Sequence, residues 1–340
     1  MSDTFPNLAY RALSRAPSPL VRRLARKKLI LPYYHIVSDA DVPHAKHLYR
    51  YRNTRQFRQD LDFFLSRYQP VSLRDLLTAL DNGTDFQTDS FFLSFDDGNR
   101  EIYEVVAPIL KEKGIPATFF IVTDFLDNRK LGHFCKQSLL IEAIQTSADC
   151  RRKANLFFQS KNLIAAQDAA QTVKRLRHDE EHLLDELGAL CGLDFEAYRT
   201  RHRPFLNSNE VRALLKDGFT IGAHSLNHPL YKLLTREEQL RQTADSVQFL
   251  VKQFGLDYRV FAFPHHDHGV STTYFDEVFG KGIVQASFGT AGFKQDVHPR
   301  SLQRLDMEYK DWSARDRIRE VSVEHAVANL THRSKLQRCA

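Results

Sequence analysis

Apolar residues follow two rhythms along this chain. Short runs rich in aromatic and β-branched residues alternate with longer stretches in which apolar positions recur every three or four residues. The densest run holds Phe91, Phe92, Leu93 and Phe95, interrupted only by Ser94, and reads as a strand buried on both faces. It stops on two adjacent acids, Asp96 and Asp97, followed by Gly98, where a turn needs no side chain. Ile102, Val105, Val106, Ile109 and Leu110 then share one helical face, and Gly114 stands where a helix C-cap belongs. The pattern predicts a strand–turn–helix unit with two carboxylates at the carboxyl end of a central strand.

The rest of the chain repeats that alternation. Residues 29–34 predict a first strand ending at His35, weakened by the missing ladder donor at Pro32. A helix follows from Thr54, with Phe57, Leu61, Phe64 and Leu65 on one face. A shorter one opens at Ser72, capped with Asp75 three residues on. Residues 115–122 predict another buried strand, and the strand–helix–strand order makes the pair parallel. From about 125 to 205 the rhythm gives way to charge-dense helical sequence, read as an insertion serving as lid, substrate wall or contact surface. Alternation then resumes: a helix carrying Val211, Leu214 and Leu215 ends at Gly218, and strand 219–223 runs into His224. A capping box at Thr235 and Glu238 opens a helix holding Leu240, Val247, Leu250 and Val251. Strands are predicted at 259–263, 283–287 and 302–305, and a closing helix at 313–330. About seven strands with helices between them predict an α/β fold, a distorted (β/α) barrel with a helical insertion. Its parts are an arm at 1–28, the barrel at 29–312, and a C-terminal helix and tail at 313–340.

Composition adds little to the fold: 340 residues, 42% hydrophobic and 26% charged, are ordinary for a globular chain. Charge changes the picture locally. The net value is +6, and Arg11, Arg15, Arg22, Arg23, Arg26, Lys27 and Lys28 are answered before residue 29 only by Asp3. Such an arm suits anionic lipid or nucleic acid. No aromatic-rich nucleic-acid motif accompanies it, so nucleic acid is not expected and a solvated leader is the plainer reading. Cys135, Cys150, Cys191 and Cys339 show neither close pairing nor metal-ligand spacing, as in a reducing compartment. Pro17 and Pro19 break any signal-like apolar core, and no run approaches the roughly 20 apolar residues of a membrane span. The expected place is the cytoplasm, with peripheral contact at the inner membrane surface through the basic arm.

The chemistry gathers at two strand ends. Catalytic groups in α/β folds collect at the carboxyl edge of the strands, and Asp96 and Asp97 stand there. One of them could merely cap the following helix, yet a second carboxylate beside it repels the first unless a cation lies between. His224 and His228 also follow a strand. Two imidazoles four apart, in a helical turn or a tight loop, can share a metal ion. With parallel strands, all four residues lie on one barrel face.

Ser94–Gly98 and His224–His228, together with the runs at 116–120 and 219–223, resemble the polysaccharide deacetylases, or NodB-homology domains. The resemblance spans about 29–310 apart from the insertion. It implies that Asp97, His224 and His228 hold a divalent metal, zinc above all, and that Asp96 is the general base. It implies hydrolysis of the N-acetyl or another N-acyl group of an amino sugar in a glycan or glycan precursor. Pro264 and the backbone N–H of His265 would form the oxyanion site. The family arginine has no counterpart: Ala262 occupies its place and His265 that of the following aromatic, so Arg304 on a late strand is the stand-in for tuning Asp96. His325 and His332 match the family's C-terminal acid poorly. His35, after a Tyr-His strand end found in one branch, is the general acid instead. Asp306 and Trp312 are further pocket candidates. His266 and His268 are open to either metal or solvent. The competing reading is an inactive carbohydrate-binding or scaffold protein that kept the fold.

Overall fold

The computed structural model describes residues 4–163 and 168–339. Asp3, the arm's single acid, lies outside the described residues, as do 164–167 in the insertion and Ala340.

Eight parallel strand segments form one sheet, in the spatial order Ser301–Gln303, Ala286–Gly289, Val260–Ala262, Thr220–Ala223, Ala117–Ile121, Leu93–Phe95, Pro32–Tyr34 and Leu305–Asp306. The two outermost segments are consecutive in the chain, separated only by Arg304. Ser301–Gln303 pairs with Ser287–Gly289, whereas Leu305 and Asp306 pair with Pro32 and Tyr33. One stretch therefore changes partner at Arg304 and closes the sheet. The result is a distorted (β/α) barrel of seven staves, as the alternating pattern predicts. Leu29–Ile30, Gln69–Pro70 and Ser90–Phe91 form a small parallel sheet below it.

Strand periodicity sorts the side chains. Phe95, Phe119, Ile221 and Phe261 join the apolar layer between strands and helices. Their neighbours Phe92, Phe120, Val260, Ala262 and Phe288 fill the barrel interior with Leu73 and Leu76 at its floor. Gly222 belongs to this packing: a Cβ there would sit 2.4 Å from the Phe120 ring. With the lower interior plugged, only the carboxyl ends of the strands remain for chemistry.

Local signals position the helices. Asn53 and Gln56 form a capping box for Thr54–Leu65, and Ser72 with Asp75 does the same for Leu73–Asn82. After Asp97, residues Ile102–Val106 form a π-helical turn before Ala107–Lys113, which ends at Gly114 in a left-handed C-cap. Three expectations shift. Thr272–Gly280 is a helix capped by Ser271, and the following strand is Ala286–Gly289 rather than 283–287. Ile283 and Val284 are apolar because they pack in the turn after that helix. The arm is not a solvated leader: Thr4–Arg15 and Ser18–Ala25 are helices, with Pro19 in the first turn of the second, where its missing N–H costs nothing. Leu13, Val21 and Ala25 pack on Val323, Ala326 and Val327 of the terminal helix Ala314–Leu330.

The insertion is a helical body with its own core. His133–Thr146, Ala148–Ser160, Ala169–Arg175 and Glu181–Leu190 bury Leu140, Ile144, Phe157, Val173, Leu184 and Leu187 together. Cys150 and Cys191 are disulfide-bonded, with Cα atoms 5.0 Å apart. This corrects the sequence reading of four unpaired thiols. Helix packing brings together two cysteines separated by 41 residues, which no spacing rule could foresee. The argument from sparse thiols for a reducing compartment falls with it. No helix among the described residues is long and apolar enough to cross a membrane.

Candidate active site

Asp96 ends the interior column that begins with Phe92 and Ser94, so strand alternation carries its carboxylate into the barrel mouth. The next residue on a strand would point outward. Asp97 does not, because it leaves the strand with φ 70°, a left-handed backbone that non-glycine residues rarely adopt. Ser225, His228 and His265 share that conformation, at φ 69°, 65° and 57°. Strained backbone concentrates where chain ends turn side chains back over the mouth. Gly98 is needed at φ 75°, with Ile121 Cγ2 only 3.2 Å from where a Cβ would sit.

Those turns make Asp97, His224 and His228 converge, all three buried. Asp97 Oδ1 lies 3.5 Å from His224 Nε2 and 3.2 Å from His228 Nε2. His224 Nδ1 is 2.8 Å from the Ala262 carbonyl. A carbonyl can only accept, so Nδ1 carries the proton and Nε2 presents its lone pair to the cluster. Burial lowers the His224 pKa to about 4, which keeps the ring neutral. The other Asp97 oxygen accepts a 2.6 Å hydrogen bond from Tyr49. Burial opposes the Asp97 charge, yet the surrounding imidazoles hold its pKa well below the ordinary carboxylate range. One anionic oxygen and two imidazole nitrogens around one point, with Oδ1 buried and lacking a hydrogen-bond donor among the described residues, fit a zinc-like divalent cation.

Asp96 borders this cluster, with Oδ2 3.9 Å from His224 Nε2. Arg304, fully buried at the closing seam, grips it through bonds of 2.6 and 2.7 Å to its two oxygens. The guanidinium is held by Ser94 Oγ at 3.2 Å and stacks 4.4 Å from the Tyr33 ring centre. Burial would raise the Asp96 pKa, but Arg304, with His224 and His35, outweighs it and holds the pKa below the ordinary carboxylate value. Arg304 thus brings a cation to the acid that Ala262 cannot serve.

His35 ends the neighbouring strand, Pro32–Tyr34, which pairs with the strand that carries Asp96. Its Nδ1 is 2.5 Å from Glu308 Oε2, and Glu308 also accepts from the His35 and Ile36 backbone N–H groups. Its ring stacks on Tyr49 with centroids 3.9 Å apart. Burial disfavours the imidazolium; Glu308, with Asp97 and Asp96, more than compensates and raises the pKa to about 9.

Pro264 is buried at the end of its strand, and the His265 ring stands 4.5 Å from that of His228. The His265 N–H has no acceptor among the described residues. Its side chain is exposed beside the His133 and His228 rings. The remaining candidates stay outside. His266 and His268 pair with each other at 6.1 Å, and His325 packs on Phe293 in the terminal helix. Asp306 contributes indirectly, accepting from the Glu308 N–H at 2.7 Å. Trp312 gives its carbonyl to Arg52 and its ring to the Lys310 ammonium, 4.1 Å from the ring centre.

Sequence reasoning missed three contributors. Glu308 follows a strand end and carried a legible signal, since acids at that sheet edge are suspect. Tyr49 lies in a loop, and nothing in its spacing marks it. Phe134, on the first turn of the insertion, covers His228 with ring centres 4.8 Å apart, a contact that only tertiary packing creates.

The family model described as polysaccharide deacetylase matches residues 83–276, more than half of the chain. Comparison with curated protein sequences returns no match. Among solved structures, a Streptococcus pyogenes deacetylase, PplD, in complex with acetate is 16% identical, covering 87% of this chain and 98% of its own, at a TM-score of 0.55. IcaB from Ammonifex degensii is 15% identical, covering 87% and 97%, at 0.52. A de-N-acetylase from Aggregatibacter actinomycetemcomitans is 16% identical, covering 85% and 98%, also at 0.52. At such identities the neighbours establish the barrel fold, while the family match rests on the sequence itself: this chain belongs to the polysaccharide deacetylase family.

Proposed function

We propose that this protein is a metal-dependent amidohydrolase that removes the N-acetyl, or another N-acyl, group from an amino sugar in a glycan or glycan precursor. The observation that carries the proposal is the convergence of Asp97 Oδ1, His224 Nε2 and His228 Nε2 beside the Arg304-held Asp96. A binding module has no need of an ionised acid beside such a ligand set.

Asp97, His224 and His228 would hold the ion, zinc by the nature of its donors. When bound, a divalent cation polarises the amide carbonyl and makes a nearby water more acidic. Asp96 then takes the proton of the attacking water. Arg304 keeps that acid ionised and fixes its orientation, so it is ready at neutral pH. The His265 N–H stabilises the developing oxyanion, with Pro264 fixing the turn that aims it. His35, kept protonated by Glu308, gives its proton to the departing amine. The amine leaves as a neutral group and acetate is the second product.

The test is acetate release from N-acetylglucosamine oligosaccharides by protein stripped with chelator and reloaded with zinc. The account expects release only after reloading. Fully loaded protein that leaves every N-acetylated oligosaccharide and glycolipid precursor intact would favour the inactive scaffold reading.

A further inference from the structure

We propose that the N-terminal arm is a docking surface for an anionic lipid bilayer. Its inner face is already spent: Leu13, Val21 and Ala25 pack on the terminal helix. Its outer face combines two features that would be costly without a partner. In Thr4–Arg15, Leu8, Arg11, Ala12 and Arg15 fall at i, i+3, i+4 and i+7, and all are exposed, Leu8 at 70%. In Ser18–Ala25, Leu20 at 47% exposure shares a stripe with the exposed Arg23. Leucine is therefore interleaved with arginine on the outer side of both helices.

The cations are unanswered. Among the described residues, none of Arg11, Arg15, Arg22, Arg23, Arg26, Lys27 and Lys28 forms an ion pair. Arg319 reinforces the excess from beneath, donating to the Ser14 and Ala16 carbonyls and to Ser18 Oγ. Elsewhere cations are paired across the surface, as Arg58 is with Glu112 and Lys136 with Asp185. Beyond the second arm helix, Lys27 and Lys28 line a cavity of about 1040 Å³ with Leu29, Phe86, Asp85 and Asp296. That cavity lies at the strand-start end of the barrel, opposite the candidate active site.

Charge alone would suit a nucleic acid equally well. The exposed leucines decide between them: a phosphate backbone gives an aliphatic side chain nothing, whereas a bilayer interface buries it among acyl chains while lysine and arginine meet the anionic headgroups. This proposal does not depend on the catalytic one, because binding is read without turnover.

The experiment is co-sedimentation of the full chain with vesicles of phosphatidylcholine alone or mixed with phosphatidylglycerol, at low and high salt. Binding is expected to the anionic vesicles only, and to weaken with salt. Replacing Arg11, Arg15 and Arg23 together by Ala should weaken it roughly a hundredfold, at about tenfold or less per charge. Replacing Leu8 and Leu20 together by Ser should weaken it by about tenfold or more. Asp96→Asn should pellet like the unaltered protein. The arm's surface variants should keep the unaltered melting temperature, which separates lost docking from lost folding. No pelleting with anionic vesicles at low salt would overturn the proposal. So would binding that ignores the leucines, or tighter binding to duplex DNA than to lipid.

Discussion

The Arg304 guanidinium and the Asp96 carboxylate meet in a buried two-point contact, at 2.6 and 2.7 Å, across the seam where the barrel closes. The contact joins the last barrel strand to the second, and it exists because one chain segment pairs with two neighbours. An arginine at this seam reaches the acid from the far side of the ring relative to Ala262. Both members are buried, so removing one leaves the other charge buried without its partner.

Breaking that pair should show in both stability and rate. Arg304→Met leaves Asp96 buried without its cation and is expected to cost about 3–5 kcal/mol of stability, read as a lower midpoint in denaturant. With Arg304 gone, burial raises the Asp96 pKa, so the acid limb of kcat/KM moves to higher pH. Arg304→Lys keeps the charge but not the two-point geometry, and should fall between the two.

Ligand removal should separate metal from chemistry. His228→Ala is expected to lose both the ion and turnover, measured by metal analysis of purified protein and by acetate release. Tyr49→Phe removes the 2.6 Å bond to Asp97 but leaves all three donors, so it should weaken zinc affinity by roughly 10–100-fold without removing the site.

His35 gives the alkaline limb. Its pKa is raised to about 9, and the protonated ring is the active form, so activity should fall as pH rises through that value. The linkage has the same sign: the folded pKa lies above the ordinary 6.5. The stabilisation is therefore complete below about 6.5 and lost as pH climbs through about 9. Glu308→Gln removes the anion that raises the pKa and should bring the alkaline limb down to 6.5 or lower.

The insertion should depend on its disulfide. Loss of the Cys150–Cys191 bond, by reduction or by paired serine substitution, is expected to cost about 2–4 kcal/mol, seen in the melting of that helical body. In native protein a thiol reagent should label Cys339, which is exposed, and spare the buried Cys135.

Much of the fold was legible because its signals are local. The caps at Ser72 and Thr235 and the C-cap at Gly114 each act over a few residues and appear in place, while the run from Phe91 to Phe95 is divided, Phe91 going to the small sheet and Leu93–Phe95 to the barrel. Closure at seven staves followed from counting strand runs. The arm misled because its run of charge reads as a solvated leader, whereas Pro19 starts a helix whose Val21 and Ala25 pack on the terminal helix. Strand 283–287 slipped because Ile283 and Val284 are apolar for packing in a turn. In the site, Asp96, Asp97, His224 and His228 stood out because residue type and strand end coincide. Arg304 was reachable as a cation at a late strand end. Tyr49, Phe134 and the Cys150–Cys191 bond were not, since they arise from loops and inserted helices that only the folded chain brings together.

The central claim is that Asp96 deprotonates the attacking water beside an ion held by Asp97, His224 and His228. The most direct measurement is acetate release by zinc-loaded Asp96→Asn, with metal content determined on the same sample. The account predicts about one zinc per chain retained and turnover reduced roughly a hundredfold to ten-thousandfold. Release at the unaltered rate from a fully loaded sample would contradict it.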